Sequence, residues 1–206
     1  MPLLHSRTST TTSSSREPSG DDAVLVAAAQ RDPHAFEPLF RRYWNSVLRY
    51  CLLRLEAAEA EDAASDIFVN AYAALPRFRE RGEAGTFRSW LFTIAHHEVA
   101  SRRRSRLRHP EHHWTDELDR VPDGRSSLED EALRASERDL LLTAIRQLPA
   151  RSREVVELRL AGLADREIAD VLGIRGEAVR QAQSRGVAQL RAWYRSQSDR
   201  KRNDDA

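Results

Sequence analysis

The chain has 206 residues, of which 33 are Lys or Arg and 32 are Asp or Glu, so its formal net charge at pH 7 is only +1. That length allows one or two domains, and no apolar run approaches the roughly 20 residues that a membrane-spanning helix needs. Cys51 is the sole cysteine, which excludes an intramolecular disulfide and favours a reducing compartment. The first residues lack the apolar core of a signal peptide, so we expect a cytoplasmic protein without membrane contact.

Residues 1–20 are rich in Ser and Thr and contain few large apolar side chains. Such a segment cannot bury enough apolar surface to offset its ordering entropy, and we expect a disordered tail. After it, Asp21 or Asp22 can cap a short helix.

The second predicted helix begins at Asp32 and Pro33, a pair typical of an N-cap followed by the first helical residue. Apolar residues at spacings of three and four extend this helix to Leu55 and place Cys51 among them as a small buried side chain. Pro38 falls inside the pattern and predicts a kink in the first turns.

A third helix is predicted from about Ala58 to Leu75. Asp62, Asp66 and Asn70 form a row on its polar face, at positions i, i+4 and i+8. A solvated face is the ordinary interpretation of such a row.

A fourth helix is predicted from about Thr86 to Arg106, with Trp90 on its apolar side. The segment 101–108 contains five Arg and no acid. Cations suit the end of a helix dipole, but five exceed that need, and a basic run continuing an aromatic-bearing helix favours contact with a phosphate backbone. A merely solvated helix end is the alternative.

The charge then reverses, because the segment from Glu111 to Asp139 holds ten acids against four bases. We therefore predict an all-α protein in which an acidic linker, 109–137, joins two small helical domains, 21–108 and 138–195. The charged residues 196–206 are predicted to be a disordered tail.

The second domain ends in a predicted helix-turn-helix. Ile168, Ala169 and Leu172 recur at helical spacing, and Gly173 follows as a helix-ending residue able to adopt positive φ. A second helical pattern begins three residues later. Its apolar face carries Val179, Ala182, Gly186 and Leu190.

The opposite face of that last helix is polar. Arg and Gln are the side chains that read guanine and adenine edges in a major groove. We expect the DNA-contacting residues to be Arg175, Arg180, Gln181, Ser184 and Arg185. An ordinary helical hairpin with a solvated face is the alternative.

Metal-binding and enzymatic functions have little support. The candidate metal ligands are His96, His97, His109, His112 and His113. Adjacent histidines on a helix point in different directions and no cysteine accompanies them, so we expect no metal site. The pair Asp62 and Asp66 could imitate a carboxylate metal site, but the chain has no glycine-rich phosphate loop and no nucleophile elbow. We expect no catalytic residue and no cofactor.

Five segments, in this order, carry a resemblance to a known family. They are DPHAFEPLFRRYW, EAEDAASDIFVNAYAALPRFR, TFRSWLFTIAHHEVASRRR, LLTAIRQLPARSREVVELRLAGL and REIADVLGIRGEAVRQAQSRGVAQLR. Together they resemble the extracytoplasmic-function (ECF) sigma factors of bacterial RNA polymerase, which direct core polymerase to specific promoters.

The resemblance implies roles for both domains. The first is similar to sigma region 2, which binds the clamp helices of the polymerase largest subunit, and Asp62, Asp66 and Asn70 match the contacting face. Its fourth helix is similar to the element that captures the unpaired minus-ten strand during melting. The residues there are Trp90, His96, His97, Arg102, Arg103 and Arg104.

The second domain is similar to sigma region 4, which reads the minus-thirty-five duplex while resting on the polymerase flap. Linkers of this family lie along the RNA path, which rationalises the acidic segment, and an anti-sigma protein usually holds such factors inactive. The resemblance thus implies core polymerase, promoter DNA and an anti-sigma factor as partners.

Some positions depart from the family pattern. His97 stands where Asn is common and Ser101 where Asp is common, which puts the minus-ten preference in question. Ser65 replaces a usual Gln, Ala164 a usual capping Ser or Thr, and Gln183 a common Leu.

A stand-alone helix-turn-helix regulator is the alternative function. It would bind two spaced half-sites as a dimer. Nothing in the chain resembles a dimerisation coiled coil, and this alternative leaves the first domain without a role.

Overall fold

The computed structural model describes residues 19–79, 85–108 and 138–204, and every regular element within them is helical. The α-helices are α1 (Ser19–Ala29), α2 (Glu37–Leu52), α3 (Ala57–Ala74), α4 (Phe87–Arg108), α5 (138–146), α6 (Ala150–Leu160), α7 (Asp165–Leu172) and α8 (Gly176–Asp204). Short 3₁₀ turns cover Pro33–Phe36 and Leu75–Arg77. The fold is all-α, as predicted. Most of the predicted N-terminal tail and the whole acidic linker lie outside the described residues.

The N-terminal helices, α1 to α4, pack around α2, which contacts α1, α3 and α4. Their core is rich in aromatic rings, with Tyr50 and Phe92 in edge contact at 5.8 Å between ring centroids. Cys51 is buried, and burial raises the pKa of its thiol to about 12. The thiol is therefore protonated and acts as a small apolar side chain, as predicted.

The first helix differs from its prediction, because it starts at Ser19 and both Asp21 and Asp22 lie in its first turn instead of capping it. Asp22 is 3% exposed and accepts hydrogen bonds from the Tyr43 hydroxyl and, at 2.5 Å, from Arg42 Nη1. Burial, followed by the Asp22 hydrogen bond and charge, raises the pKa of Tyr43. A buried carboxylate needs such partners, so the aspartate joins α1 to α2.

The second helix also differs in its first turns. Asp32 is an N-cap, accepting the backbone N–H of His34 at 3.0 Å, but the element it starts is a 3₁₀ turn. The α-helix begins at Glu37, so Pro38 lies in a first turn, where a missing N–H costs nothing. Instead of a kink within one helix, the chain passes there from a 3₁₀ turn into an α-helix. The α-helix then ends at Leu52 rather than Leu55.

The C-terminal helices, α5 to α8, include the predicted helix-turn-helix. Gly173 has φ 61° and ψ 37°, the left-handed conformation that ends α7. Val179 and Ala182 are fully buried against α6 and α7. Helix α8 continues to Asp204, beyond the residue at which a disordered tail was predicted to begin. This extension contains no Gly or Pro, so nothing in it breaks a helix.

The two sets of helices pack against each other, through α4 with α7 and α2 with α6. A continuous apolar cluster runs from Val99 of α4 to Ile168 of α7. A second cluster brings Leu53, from the end of α2, against Ile145 and Val156. In this structure, therefore, each set of helices covers part of the surface of the other set.

The crossing of α6 and α8 leads to a test. A Cβ on Gly186 would lie 3.0 Å from Val156 Cγ2 and 3.4 Å from Ser152 Cβ. We expect Gly186→Leu to lower the free energy of unfolding by about 1–3 kcal/mol, because a larger side chain must push the helices apart. Denaturant unfolding followed by fluorescence measures this. Gly176→Leu is the control, since the nearest atom there is Arg180 Nη1 at 3.8 Å; equal losses for the two variants would contradict close packing at Gly186.

Candidate nucleic-acid interface

The start of α7 is capped in an unusual way. Ala164 is the N-cap and has no side-chain acceptor, so α7 begins at Asp165. The carboxylate of Glu167 reaches back and accepts the Ala164 backbone N–H at 2.8 Å, which satisfies one free donor of the first turn. The cap is therefore Glu167 acting on Ala164, and Asp165 is the first helical residue.

The polar face of α8 is exposed, as a DNA-reading face must be. Arg180, Ser184 and Arg185 are exposed, and so is Arg175, just before the helix. Gln181 is also exposed, and its Nε2 lies 3.4 Å from the Glu177 carboxylate. The structure thus leaves all five residues predicted for duplex contact exposed on the helix-turn-helix.

A cleft of about 690 Å³ adjoins this face. It is lined by Arg159, Asp165, Arg180, Gln183, Ser184, Val187, Ala188 and Arg191. Arg159 donates to the Gln183 side-chain carbonyl at 3.1 Å and is ion-paired with Asp165. Because the side-chain oxygen of Gln183 accepts from Arg159, the two N–H donors of its amide are not used in that contact. Gln183 departs from the family pattern, but the sequence gives no sign of its contact with Arg159, because the two residues are 24 positions apart.

Two arginines of the basic run at the end of α4 pair with acidic side chains. Arg102 donates to Glu98 at 2.7 Å and is ion-paired with Asp66 of α3. Arg106 is ion-paired with Glu59 at 3.1 Å and with Glu56 at 3.3 Å. These two arginines, four residues apart, attach α4 to α3.

The other α4 residues that were predicted to contact the minus-ten DNA strand have different environments. Trp90 is half-buried against Phe78, with 4.9 Å between ring centroids. His97 and Arg104 are exposed, whereas Arg103 is half-buried. The structure therefore leaves His97 and Arg104 openly accessible among the residues predicted to contact the minus-ten strand.

His96 faces the C-terminal helices. Arg54 Nη1 donates to the Tyr50 hydroxyl, and that hydroxyl lies 3.1 Å from His96 Nδ1. Burial, then the charge of Arg54, lowers the pKa of His96. A Tyr50 hydroxyl that donates to Nδ1 requires an unprotonated acceptor nitrogen there, which agrees with the direction of that shift.

The row on α3 is exposed, but one member is engaged. Asp62 and Asn70 are exposed, while Asp66 pairs with Arg102. Large apolar side chains lie nearby: Val69 is 65% and Tyr72 is 44% exposed. Exposed apolar residues beside an acidic row are typical of a protein-binding surface. The sequence alone does not separate these two residues from the buried stripe, because they adjoin it in the chain.

A buried ion pair joins the two sets of helices, and sequence analysis did not predict it. Arg54 Nε lies 2.9 Å from Glu157 Oε2, with the side chains 5% and 2% exposed, although the two atoms are not aligned as a hydrogen bond. Burial raises the pKa of Glu157 to about 7, against the opposing charges of Arg54, Arg153 and Arg103. The sequence signal is a glutamate inside the apolar run of α6.

Two more arginines contact the C-terminal helices. Arg88 Nη2 donates to the Gly162 carbonyl at 2.5 Å, and Arg88 Nη1 lies 3.6 Å from the Glu167 carboxylate. Arg49 donates to the Leu160 carbonyl at 3.4 Å. The N-terminal helices thus present guanidinium donors, and the turn between α6 and α7 presents oxygen acceptors.

Within the described ranges, no three His, Cys, Asp or Glu side chains are grouped as metal ligands would be. The predicted candidates His109, His112 and His113 lie outside the described residues. The same ranges contain no helix that is both long and apolar enough to span a membrane.

Comparison with known proteins decides the family. Residues 39–109 match the family Sigma-70 region 2, and residues 138–190 match Sigma-70, region 4. The ECF RNA polymerase sigma factor ShbA of Streptomyces griseus is 34% identical over 179 residues, which cover 82% of this chain and 93% of that protein. The chain belongs to the ECF sigma factors. SigD, an ECF RNA polymerase sigma factor of Mycobacterium tuberculosis, is 32% identical over 184 residues and 82% of each chain. This sigma factor accordingly directs RNA polymerase to promoters.

Solved structures agree with the fold of this sigma factor. CnrH in complex with the cytosolic domain of CnrY has a TM-score of 0.64 and 25% identity, covering 85% of this chain and 97% of that chain. The sigma factor RpoE from Bartonella quintana, in complex with the anti-sigma factor NepR, has a TM-score of 0.59 at 21% identity.

The environment of His96 predicts a pH dependence of stability for this sigma factor. A histidine whose folded pKa is below its unfolded value binds more protons when unfolded, so stability is lost as the pH falls through and below about 6.5. We expect His96→Gln to reduce the loss in free energy of unfolding between about pH 7.5 and 5.5.

Denaturant unfolding at the two pH values makes this measurement. The raised pKa of Glu157 acts with the opposite sign, so the informative quantity is the difference between wild type and variant. Replacement of the exposed His34 by Gln is the control. If both variants keep the wild-type pH dependence, His96 does not titrate in the way that its environment predicts.

Proposed function

We propose that this sigma factor docks on core RNA polymerase through α3, reads the minus-thirty-five duplex through α8 and captures the minus-ten strand through α4. The observation that carries the proposal is the exposed polar face of α8 opposite a packed helix-turn-helix seam. A rigid helix with that face fits a major groove. Arg180 and Arg185 are candidates for guanine, and Gln181 for adenine.

The polymerase surface assigned to α3 combines charge with apolar area. Asp62, Asp66 and Asn70 supply the polar row, and Val69 and Tyr72 the exposed apolar area beside it. We assign this face to the clamp helices of the polymerase largest subunit and a surface of the C-terminal helices to the flap. Arg102 then acts mainly by holding Asp66 in place.

We assign capture of the unpaired minus-ten DNA strand to the other candidate residues of α4. Trp90 offers a half-buried ring on which a base can stack, and His97 and Arg104 are exposed for contact with bases and phosphates. Arg103 and His96 contribute on the side that faces the C-terminal helices. This assignment includes no catalytic residue and no cofactor, because binding to the open strand offsets the lost pairing.

The proposed partners follow from these surfaces. They are core polymerase and promoter DNA, which place the protein in the cytoplasm, and an anti-sigma factor. Support for a protein partner is the likeness to CnrH, whose structure was solved in complex with the cytosolic domain of CnrY.

Run-off transcription with purified core polymerase on a promoter library tests the function. We expect transcripts from a subset of promoters that depend on this protein. A gel-shift experiment separates the alternative, a stand-alone regulator: a regulator binds duplex without polymerase, whereas the sigma factor needs core enzyme for tight binding. Tight duplex binding as a dimer, with no transcription, would favour the regulator.

The α3 surface predicts a loss of polymerase binding on charge reversal. We expect Asp66→Arg to abolish association with core enzyme in a folded protein, but it also removes the pair with Arg102. Asp62→Arg is the cleaner variant and should weaken association by at least tenfold, about 1.4 kcal/mol. Native gel or calorimetric titration measures this. Glu37→Arg, an exposed reversal on α2, is the control; equal binding by all variants would leave the row a solvated face.

The α8 face predicts a change in promoter preference. Arg180→Ala or Arg185→Ala should weaken transcription from promoters that differ only upstream, by about 1–3 kcal/mol for a contact to a base edge. Competition between such promoters in one reaction measures this. Arg195→Ala, at an exposed position farther along the same helix, is the control. An unchanged upstream preference in both test variants would count against this face.

A further inference from the structure

Four arginines form one basic surface on the N-terminal helices, where these meet the C-terminal helices. Arg49 lies in α2 and Arg54 follows it, while Arg88 and Arg103 lie in α4. Arg88 and Arg103 are fifteen residues apart, close to whole helical turns, so they share one side of α4. We call these four residues the interdomain basic surface.

Three arginines of this surface contact oxygen atoms of the C-terminal helices. Arg54 pairs with the Glu157 carboxylate, Arg88 donates to the Gly162 carbonyl, and Arg49 donates to the Leu160 carbonyl. A second carboxylate, from α7, lies 3.6 Å from Arg88. These acceptors all come from the span that includes the end of α6, the following turn and the first turn of α7. Guanidinium groups bind carboxylate and phosphate oxygens by the same geometry, so this span occupies sites that suit phosphates.

The surface also continues into the strand-capture residues. Arg54 Nη1 lies 3.4 Å from His96 Nδ1. The charge of Arg54 is also among the causes that lower the pKa of Arg103, after burial. A DNA strand bound to the proposed minus-ten residues on this side of α4 would reach Arg54 next.

We propose that the interdomain basic surface binds the phosphates of a single DNA strand, and that the C-terminal helices compete with that strand by covering it with their own oxygen atoms. The inference rests on the proposed promoter-strand binding and deepens it. It assigns phosphate contacts to Arg49, Arg54 and Arg88, which the minus-ten candidates do not include.

The competition follows from burial. Arg54 is 5% exposed, so no phosphate can reach it while Glu157 is in place. A strand that binds this surface must therefore bind a conformation in which the two sets of helices have separated. A ligand that binds one of two conformations is weakened by the rarity of that conformation. Weakening the Arg54–Glu157 pair should thus strengthen strand binding.

The test uses the full chain and a fluorescent single-stranded oligonucleotide, with affinity measured by anisotropy. The pH is held about one unit above the Glu157 pKa, so that its carboxylate is ionised. We expect Glu157→Gln to tighten binding about tenfold relative to wild type. Glu154→Gln is the matched control, because it removes the same charge from the same helix, where Glu154 pairs with Arg151 of α6 itself.

A double variant separates opening from phosphate contact. Arg54→Gln combined with Glu157→Gln also removes the pair but lacks the guanidinium, so most of the gain should disappear. The dependence of the affinity on salt should be steeper for Glu157→Gln than for the double variant, since each phosphate contact on a single strand adds about 0.7 to the slope.

Three outcomes would overturn the inference. Equal affinities for Glu157→Gln and Glu154→Gln would mean that the Arg54–Glu157 pair only packs the two sets of helices together and does not compete with the DNA strand. An undiminished gain in the double variant would remove Arg54 from the site. An equal gain for duplex of the same length would show general attraction to DNA instead of strand binding.

Run-off transcription with core polymerase distinguishes this failure from failure of the proposed function. Normal transcription with no gain in strand affinity would reject the inference alone. A gain in strand affinity without any transcription would reject the proposed function alone.

Discussion

The relative position of the two sets of helices depends on the buried ion pair between Arg54 and Glu157. Both side chains are almost fully removed from water, which is costly for each charge taken alone. Their environment offsets part of that cost, because Tyr50 accepts from Arg54, and Arg153 and Arg103 also lie close enough to oppose the rise in the pKa of Glu157. Removing one member of such a pair typically costs about 3–5 kcal/mol, since the other charge remains buried. The apolar contacts of Leu53 with α5 and α6 are not directional, whereas this pair and the hydrogen bonds of Arg49 and Arg88 restrict how the two sets of helices can meet.

Arginine serves three purposes in this protein, and burial and partners separate them. Arg102 and Arg106 attach α4 to α3 through carboxylates within the N-terminal helices. Arg54 and Arg88 face the C-terminal helices and are satisfied by their oxygen atoms. Arg180 and Arg185 of α8 are exposed on the surface of the helix-turn-helix. A basic run in the sequence is thus not one site. Alternate members of the run in α4 point at different partners because a helix turns by about 100° per residue.

The contact between Arg102 and Asp66 also joins two proposed surfaces. Asp66 belongs to the row assigned to polymerase, and Arg102 to the helix assigned to the promoter strand. The pair is partly exposed, so its contribution to stability is small. The pair adds to the direct packing of α3 against α4. The two proposed surfaces therefore lie on neighbouring packed helices, which suits a protein that must place DNA near its partner.

The sequence by itself determined the helical class, the helix-turn-helix, its exposed polar face and the family. These depend on periodicity, turn residues and motif order, which are local properties; Gly173, for example, ends α7 because a left-handed residue is needed there. Only the tertiary structure decided that Asp22 is buried against Tyr43, that Arg102 holds Asp66, and that Glu157 meets Arg54. Each of these is a pairing of charged or polar groups between elements distant in the chain. Hydrophobic patterning specifies which face of a helix is buried, but it does not specify which buried polar group will meet which partner.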